Sequence, residues 1–343
     1  MDVKSAISAL VEKRNLSFES MQKIMQNIMS GDASPSQISA LLVALRMKGE
    51  TVEEIAAAAT VMRAFSKQVK VKTRPIIDTC GTGGDNSNTF NISTAAAFVT
   101  AAAGGYVAKH GNRAASSKSG SADVLEAAGA KIELNPDQVA TCLKETGVGF
   151  MFAPTHHNAT RYASGPRREV GIRTIFNVLG PLTNPANADC QLMGVFETSM
   201  VKTCAEVLKR LGVRRAMIVH SEDGLDEISI YAKSNVAELR DEKITLYQVD
   251  PSDYGLIGKD PATLRAVSSK ESLEIILRTF EGAPGDAHNI VALNAGAAIY
   301  LGGLSPDFLS GVKIASLLMT DLSALKSFEK FIEKTQVLSR TDE

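Results

Sequence analysis

Apolar positions recur at helical spacing through the first seventy residues. Met21, Ile24, Met25 and Ile28 form one stripe, with Ser17 ahead of it as a cap and Gly31 behind it as a stop. Ile38, Leu41, Leu42 and Leu45 form a second stripe between Ser34-Pro35 and Gly49. Thr51 and Glu54 fit a capping box at the head of an alanine-rich helix. The methionines suit packing inside a small bundle, because an unbranched thioether fills irregular gaps. No candidate catalytic group stands out here, so a structural or dimerising role is expected.

From Pro75 the period changes. Short apolar runs (Ile76-Ile77, Tyr106–Ala108, Gly149–Phe152, Leu192–Phe196, Ala216–Val219) alternate with helical stretches. That alternation predicts βα units. The expected fold class is α/β: a small all-helical domain, residues 1–72, plus a larger α/β domain, residues 73–343, with a central mostly parallel sheet flanked by helices. A length of 343 residues suits two domains. Ligands of such sheets bind beyond the carboxyl ends of the strands. The loops discussed next each follow one of these runs or the helix after it.

Composition narrows the function classes. A net charge of −1 creates no global field toward nucleic acid or anionic lipid, so neither partner is expected. No run approaches the roughly 18 apolar residues of a membrane span. The opening MDVKSAISALVEKR lacks the apolar core of a signal peptide, which points to a cytoplasmic location. Cys80, Cys142, Cys190 and Cys204 form no C-x-x-C pair, so reduced thiols are expected.

Three loops carry candidate chemistry. The first, DTCGTGGDNSNTFNIST from Asp78, places Gly81, Gly83 and Gly84 between a strand and a helix. Glycines let backbone N–H groups approach an anion, and the helix end adds roughly half a positive charge. Asn91, Ser93 and Thr94 open that helix and can donate to phosphate oxygens or ligate a metal. A tight turn with capping residues would look similar. The loop matches neither G-x-G-x-x-G nor the P-loop pattern, which disfavours those nucleotide sites. The second loop, from Lys109, combines Lys109, Arg113 and Lys118 with Gly111, Ser116, Ser117 and Gly120. Charge beside glycines and hydroxyls suits several phosphate groups, although a solvated basic loop is the plain alternative. The third, Asp223–Glu227, carries three carboxylates in five residues. Alone it reads as solvated surface; beside a polyphosphate it reads as a Mg²⁺ site.

Together, Asp78-Thr-Cys-Gly-Thr-Gly-Gly-Asp85, Lys109-His-Gly-Asn-Arg113, Asn177-Val-Leu-Gly-Pro-Leu-Thr-Asn-Pro185, Asp223-Gly-Leu-Asp-Glu227 and Asn294-Ala-Gly-Ala-Ala298 resemble the anthranilate phosphoribosyltransferase family. The segments stand in the family's order over nearly the whole chain. The resemblance implies transfer of a phosphoribosyl group from 5-phosphoribosyl 1-diphosphate to anthranilate, with Mg²⁺, in tryptophan biosynthesis. It also implies a homodimer formed through the helical part, which takes a later insertion near 167–187. By motif, Gly81, Gly84, Asp85, Thr89, Asn91, Ile92, Ser93 and Thr94 would form the diphosphate and ribose loop. Lys109, His110, Gly111, Asn112, Arg113, Ala114, Ala115, Ser116, Ser117 and Ser121 would surround the phosphates. Ser93, Asp226 and Glu227 would hold the metal. Gly81, His110, Asn112, His157 and Arg167 would meet anthranilate. His157 could instead be a packed histidine, and Arg168 could face the ligand in place of Arg167. No general base is assigned.

The chain departs from the family at His156, Asn158 and Thr160, where phenylalanine, proline and methionine are common. That segment, 155–166, helps form the acceptor channel. Ser221 stands where glycine is common. Two other readings remain: a pyrimidine nucleoside phosphorylase-like enzyme, and a non-catalytic relative that binds nucleic acid.

Overall fold

The N-terminal boundaries are set by side-chain caps. In the computed structural model, which describes residues 1–114 and 118–340, the chain opens with α1 (Val3–Val11), α2 (Phe18–Ser30), α3 (Pro35–Lys48) and α4 (Val52–Phe65). Ser17 Oγ accepts from Ser20 N at the head of α2, and Gly31 ends it with φ 83°. Ser34 with Gln37, and Thr51 with Glu54, form reciprocal capping boxes on α3 and α4. Glu54 does more than cap. Its buried carboxylate accepts from Leu16 N at 2.9 Å, Thr51 N at 2.8 Å and Lys48 Nζ at 2.9 Å. A buried charge is tolerable only when it is paired and hydrogen-bonded, and this one ties the α1–α2 connection to α3 and α4.

The second region begins with β1 (Ile76–Asp78), α5 (Ile92–Ala102), β2 (Tyr106–Gly111), α6 (Ser121–Ala127), α7 (Pro136–Thr146) and β3 (Val148–Phe152). It continues through α8 (Ala153–His156), α9 (Arg161–Val170), α10 (Phe176–Leu182), β4 (Cys190–Gly194), α11 (Ser199–Arg210) and β5 (Arg215–Ser221). A hairpin of β6 (Ser234–Arg240) and β7 (Lys243–Val249) follows, then α12 (Ser269–Phe280), α13 (Asp286–Leu301), α14 (Phe308–Thr320) and α15 (Ser323–Ser339).

The strand order is β3-β2-β1-β4-β5-β6-β7. The first five strands are parallel; β6 and β7 are antiparallel. All five apolar runs become strands, though Leu192–Phe196 shifts to Cys190–Gly194. The hairpin is the element the apolar runs do not announce. Its two-residue turn uses Asp241 and Glu242 at φ 49° and 59°, without the glycine that usually marks such a turn.

Strand alternation divides the core in two. Leu192, Met217 and Val219 face a core shared with α5, α7 and α12–α15. Met193, Ala216, Ile218, Ala237 and Leu239 face a second core shared with α1–α4 and α11. Ala163 of α9 and Phe176, Leu179 and Leu182 of α10 join this second core, so the helical side begins to take in chain before residue 167. Sheet order reverses between β1 and β4, where α/β sheets leave a crevice. No single helix among the described residues is long and apolar enough to cross a membrane.

Candidate active site

The glycine-rich loop leaves β1 at that crevice and is held by backbone contacts. Thr82 N donates to Gly194 O at 2.9 Å, and Gly83 N donates to Asp226 Oδ2 at 2.7 Å. A Cβ on Gly194 would lie 1.4 Å from Asp226 O, so only glycine permits the acidic loop to sit against β4. Asn91 is the N-cap of α5, yet its side chain makes no capping bond. It is committed elsewhere, accepting from Ser119 Oγ at 3.1 Å and Ser272 Oγ at 2.8 Å. Asn91 thus leaves the first amides of α5 uncapped by their own N-cap residue, and the Glu227 carboxylate lies toward one of them, Ser93 N, at a helix end of the kind that receives an anion.

Lys109 is buried at the end of β2. Its Nζ donates to Thr79 O at 3.1 Å, Thr79 Oγ1 at 3.3 Å and Ser93 Oγ at 3.2 Å. All three acceptors are neutral. The nearby buried Asp78 is engaged by Asn184 Nδ2 at 2.7 Å, Cys80 N at 3.0 Å and His110 N at 3.4 Å. Burial pushes the Asp78 carboxyl up to about 6. An ammonium held among neutral acceptors leaves its charge available to an incoming anion.

Opposite stands the acidic loop. Asp226 N donates to Asp85 Oδ2 at 3.4 Å, which brings Asp85 beside Asp226 and Glu227. Burial first, and then the neighbouring carboxylates, hold Asp226 and Glu227 above the usual carboxylate range. Asn294 of α13 brackets the next residue: its Oδ1 accepts from Ile228 N at 3.0 Å and its Nδ2 donates to Ile228 O at 2.9 Å. Ser221 Oγ donates to Glu227 O at 2.6 Å, so the residue that departs from glycine supports the loop. Among the described residues no cluster of three or more ligands forms a ready-made metal cage.

These parts line one cavity of about 430 Å³. Gly81, Gly84, Asp85, Thr89, Asn91, Ile92 and Ser93 line its loop side, and Lys109, His110, Gly111, Asn112, Arg113, Ala114 and Ser121 its strand β2 side. Asp226, Glu227, His157 and Arg167 complete it. Thr94 is buried and does not line it. Asp223 does not either; it accepts from Ser229 Oγ at 2.6 Å. Arg113 lies at the rim, paired with Glu126 at 2.7 Å and stacked on Phe152. Ala115, Ser116 and Ser117 lie outside the described residues.

The far end is aromatic and basic. The His110 and His157 rings lie 5.0 Å apart. Burial lowers both, His157 to about 4, so both imidazoles are neutral at pH 7. Their Nε2 atoms are buried without a partner among the described residues. Arg167 lies over the Phe176 ring at 5.0 Å, and burial lowers its guanidinium. It lines the cavity, whereas Arg168 is exposed and does not. Of the three departures, only Thr160 lines the cavity. His156 turns its Nδ1 to Lys67 O at 3.1 Å, and Asn158 is exposed.

Comparison with known proteins agrees with this geometry. The glycosyl transferase family helical bundle domain matches residues 4–66, and the glycosyl transferase family a/b domain matches residues 73–325. The anthranilate phosphoribosyltransferase of Marinomonas sp. (strain MWYL1) is 56% identical over 317 residues, 92% of either chain. The chain belongs to the anthranilate phosphoribosyltransferase family. The Thermus thermophilus member superposes with a TM-score of 0.92 at 39% identity, covering 96% of this chain and 99% of that one. The Saccharomyces cerevisiae member, solved in complex with 5-phosphoribosyl 1-diphosphate (PRPP) and Mg, superposes with a TM-score of 0.89 at 26% identity, covering 98% of each chain. It has also been solved with 4-fluoroanthranilate.

Family motifs left some of this wall unmarked. Thr82, Arg173, Phe176, Asn177 and Phe196 also line the cavity. Thr82 and Asn177 stand inside recognised motifs without an assigned role and Phe176 beside one, but Arg173 and Phe196 stand in none. Their only sequence signal is position, just beyond a helix or strand that ends at the crevice.

Proposed function

We infer that this chain transfers the phosphoribosyl group of 5-phosphoribosyl 1-diphosphate to the amine of anthranilate, releasing pyrophosphate, in tryptophan biosynthesis. One observation carries the reading: a single cavity has anion-receiving groups at both ends. The α5 terminus and buried Lys109 suit the diphosphate. Arg167, which forms no ion pair among the described residues, suits the carboxylate of the acceptor through its planar fork. The yeast member's PRPP and 4-fluoroanthranilate complexes support the same pair of substrates.

The reaction breaks the bond from the anomeric carbon to the pyrophosphate oxygen and forms one to the acceptor nitrogen. A neutral aryl amine is already nucleophilic, so the task is to stabilise the departing pyrophosphate and hold the amine in line. Lys109 and the loop amides meet developing negative charge. Arg167 and Asn112 orient the acceptor, and the neutral His110 and His157 wall it from water. No side chain is given the role of general base.

The site also suits Mg²⁺. Asp226, Glu227 and Asp85 offer hard oxygen donors, and a cation beside them would offset the burial and mutual repulsion that raise Asp226 and Glu227. Mg²⁺ is usually held by one or two carboxylates plus substrate phosphates, so no ready-made cage is needed. Asp226 and Glu227, with Ser93, would hold it. When bound, it supplies positive charge to the diphosphate.

The helical side, residues 1–72 with the segment near 167–187, is proposed to form a homodimer. Exposed Val11, Met47 and Ile172 support that surface, and light scattering on the purified protein would test it. The four free thiols suit a cytoplasmic enzyme.

The deciding experiment follows anthranilate fluorescence. A loss that requires protein, Mg²⁺ and PRPP together is the expected result. No loss, in a protein that still binds the diphosphate, would assign a different acceptor, sought among other aromatic amines and nucleobases.

A further inference from the structure

Arg173 lies in the connection between α9 and α10, on the helical side of the cavity. Its Nη2 donates to Gly84 O, and its guanidinium lies 4.4 Å over the Phe196 ring. The backbone directly after it is fixed, since Asn177 Oδ1 accepts from Thr174 N at 2.9 Å. Phe196 is itself tied to the glycine-rich loop: its N donates to Thr82 Oγ1 at 3.1 Å. The contacts therefore close a ring, from Thr82 to Phe196, to Arg173, to Gly84.

The other ties on this turn come from the sheet side. Thr82 N is bound to Gly194 O and Gly83 N to Asp226 Oδ2. Gly84 stands at φ 83°, a left-handed turn that side chains rarely adopt. Among the described residues, Arg173 alone reaches its carbonyl from the helical side. A hydrogen bond from a guanidinium is about twice as strong as a neutral one. The ring beneath it limits the rotamers the arginine must give up. Six residues earlier on the same stretch stands Arg167, at the acceptor end.

We propose that Arg173 is a positioning residue for the diphosphate loop, holding the Gly83–Gly84 turn in the form that receives the donor's phosphates. It acts through Gly84 and Phe196, not as a counter-charge on the diphosphate. The inference rests on the donor and acceptor named under Proposed function. It predicts a split between substrates. Loss of Arg173 weakens the donor while leaving the acceptor's own contacts intact.

The test compares wild type with Arg173→Ala, Arg173→Lys and Phe196→Leu. Each is assayed for KM of PRPP, KM of anthranilate and kcat, with diphosphate affinity measured by calorimetry in Mg²⁺. Arg173→Ala is expected to raise the PRPP KM about ten-fold, the loss of one charged hydrogen bond, with the anthranilate KM within about two-fold. Phe196→Leu keeps every charge and should raise the PRPP KM about three-fold through the loosened guanidinium. Arg173→Lys, which cannot stack as a planar fork, should fall between these.

An unchanged PRPP KM in Arg173→Ala overturns the inference. So does an equal rise for both substrates, which would signal general distortion. An unaffected Phe196→Leu beside a weakened Arg173→Ala also overturns it, because the arginine's charge would then act directly. If Arg173→Ala does not fold, the other two variants decide by the same criteria. Wild type that binds diphosphate without consuming anthranilate overturns the acceptor reading alone, and the variants' diphosphate affinities still decide this inference. Wild type that does not bind diphosphate overturns both.

Discussion

Lys109 brings a charge into a buried place where it meets only neutral oxygens, while Asp226 and Glu227 crowd one another across the cavity. Neither side forms a direct ion pair with the other among the described residues, and a magnesium–diphosphate ligand would bring positive charge to the carboxylates and negative charge to the lysine. Replacing both acids as Asp226→Asn with Glu227→Gln should lower turnover by several orders of magnitude, read in the fluorescence assay at saturating substrates. Near-normal turnover would remove them from the mechanism. At the other end Arg167 has an aromatic ring beneath it and, among the described residues, no carboxylate paired with it. Arg167→Ala should raise the anthranilate KM at least about ten-fold, with a smaller effect on the PRPP KM. An unchanged anthranilate KM in a folded variant would contradict its role. These residues were legible as types in motifs. Their pairing was not. Nothing in the spacing says that Arg113 turns to Glu126, or that Asp223 bonds Ser229 while Asp226 faces the cavity.

Elements place these groups through close backbone approach. Strand β4 ends at Gly194, against which the acidic loop lies so closely that a methyl group has no room. Gly194→Ala must displace Asp226, and it should lower turnover by about a hundred-fold or more, a misplacement on the order of 1 Å at a reacting centre. The control is circular dichroism showing an intact fold; full activity would refute the argument. Helix boundaries in the N-terminal part were readable because caps are local: Ser17, Ser34, Thr51 and Gly31 act within a turn of themselves. The parallel strands were readable because strands covered on both faces are continuous apolar runs. The β6–β7 hairpin was not. Its outer strand is largely exposed and its turn uses Asp241-Glu242, so neither apolar run nor glycine marks it. Asn294 shows the remaining gap. Its motif was recognisable, but its work, bracketing Ile228 after the acidic pair, depends on α13 lying against a loop 66 residues away.

Across the whole molecule, two cores lie on opposite faces of one sheet, and the fold also buries histidines and an aspartate. His157 is held near 4, below its unfolded value of 6.5, so below that value the unfolded chain binds more protons than the native one. Its stabilising share is full above pH 6.5 and is lost as pH falls toward 4, on the order of 3 kcal/mol at most. Asp78, raised to about 6, has the opposite sign: its share is present below its unfolded value of 3.8 and is lost as pH rises through about 6. Wild type should therefore lose Tm on acidification from pH 6.5 to 4 more steeply than His157→Gln, in thermal scans at fixed salt. Equal slopes would mean that His157 is not buried neutral. By itself the sequence determined the helical N-terminal part, the α/β remainder, the loops with phosphate chemistry and the family, because caps, periodicity and short motifs depend on neighbours in the chain. Only the tertiary structure decided which charges stay unpaired, which glycine is obligatory and that Arg173 reaches Gly84. Those depend on contacts between segments dozens to more than a hundred residues apart, which meet only when the sheet forms between β1 and β4.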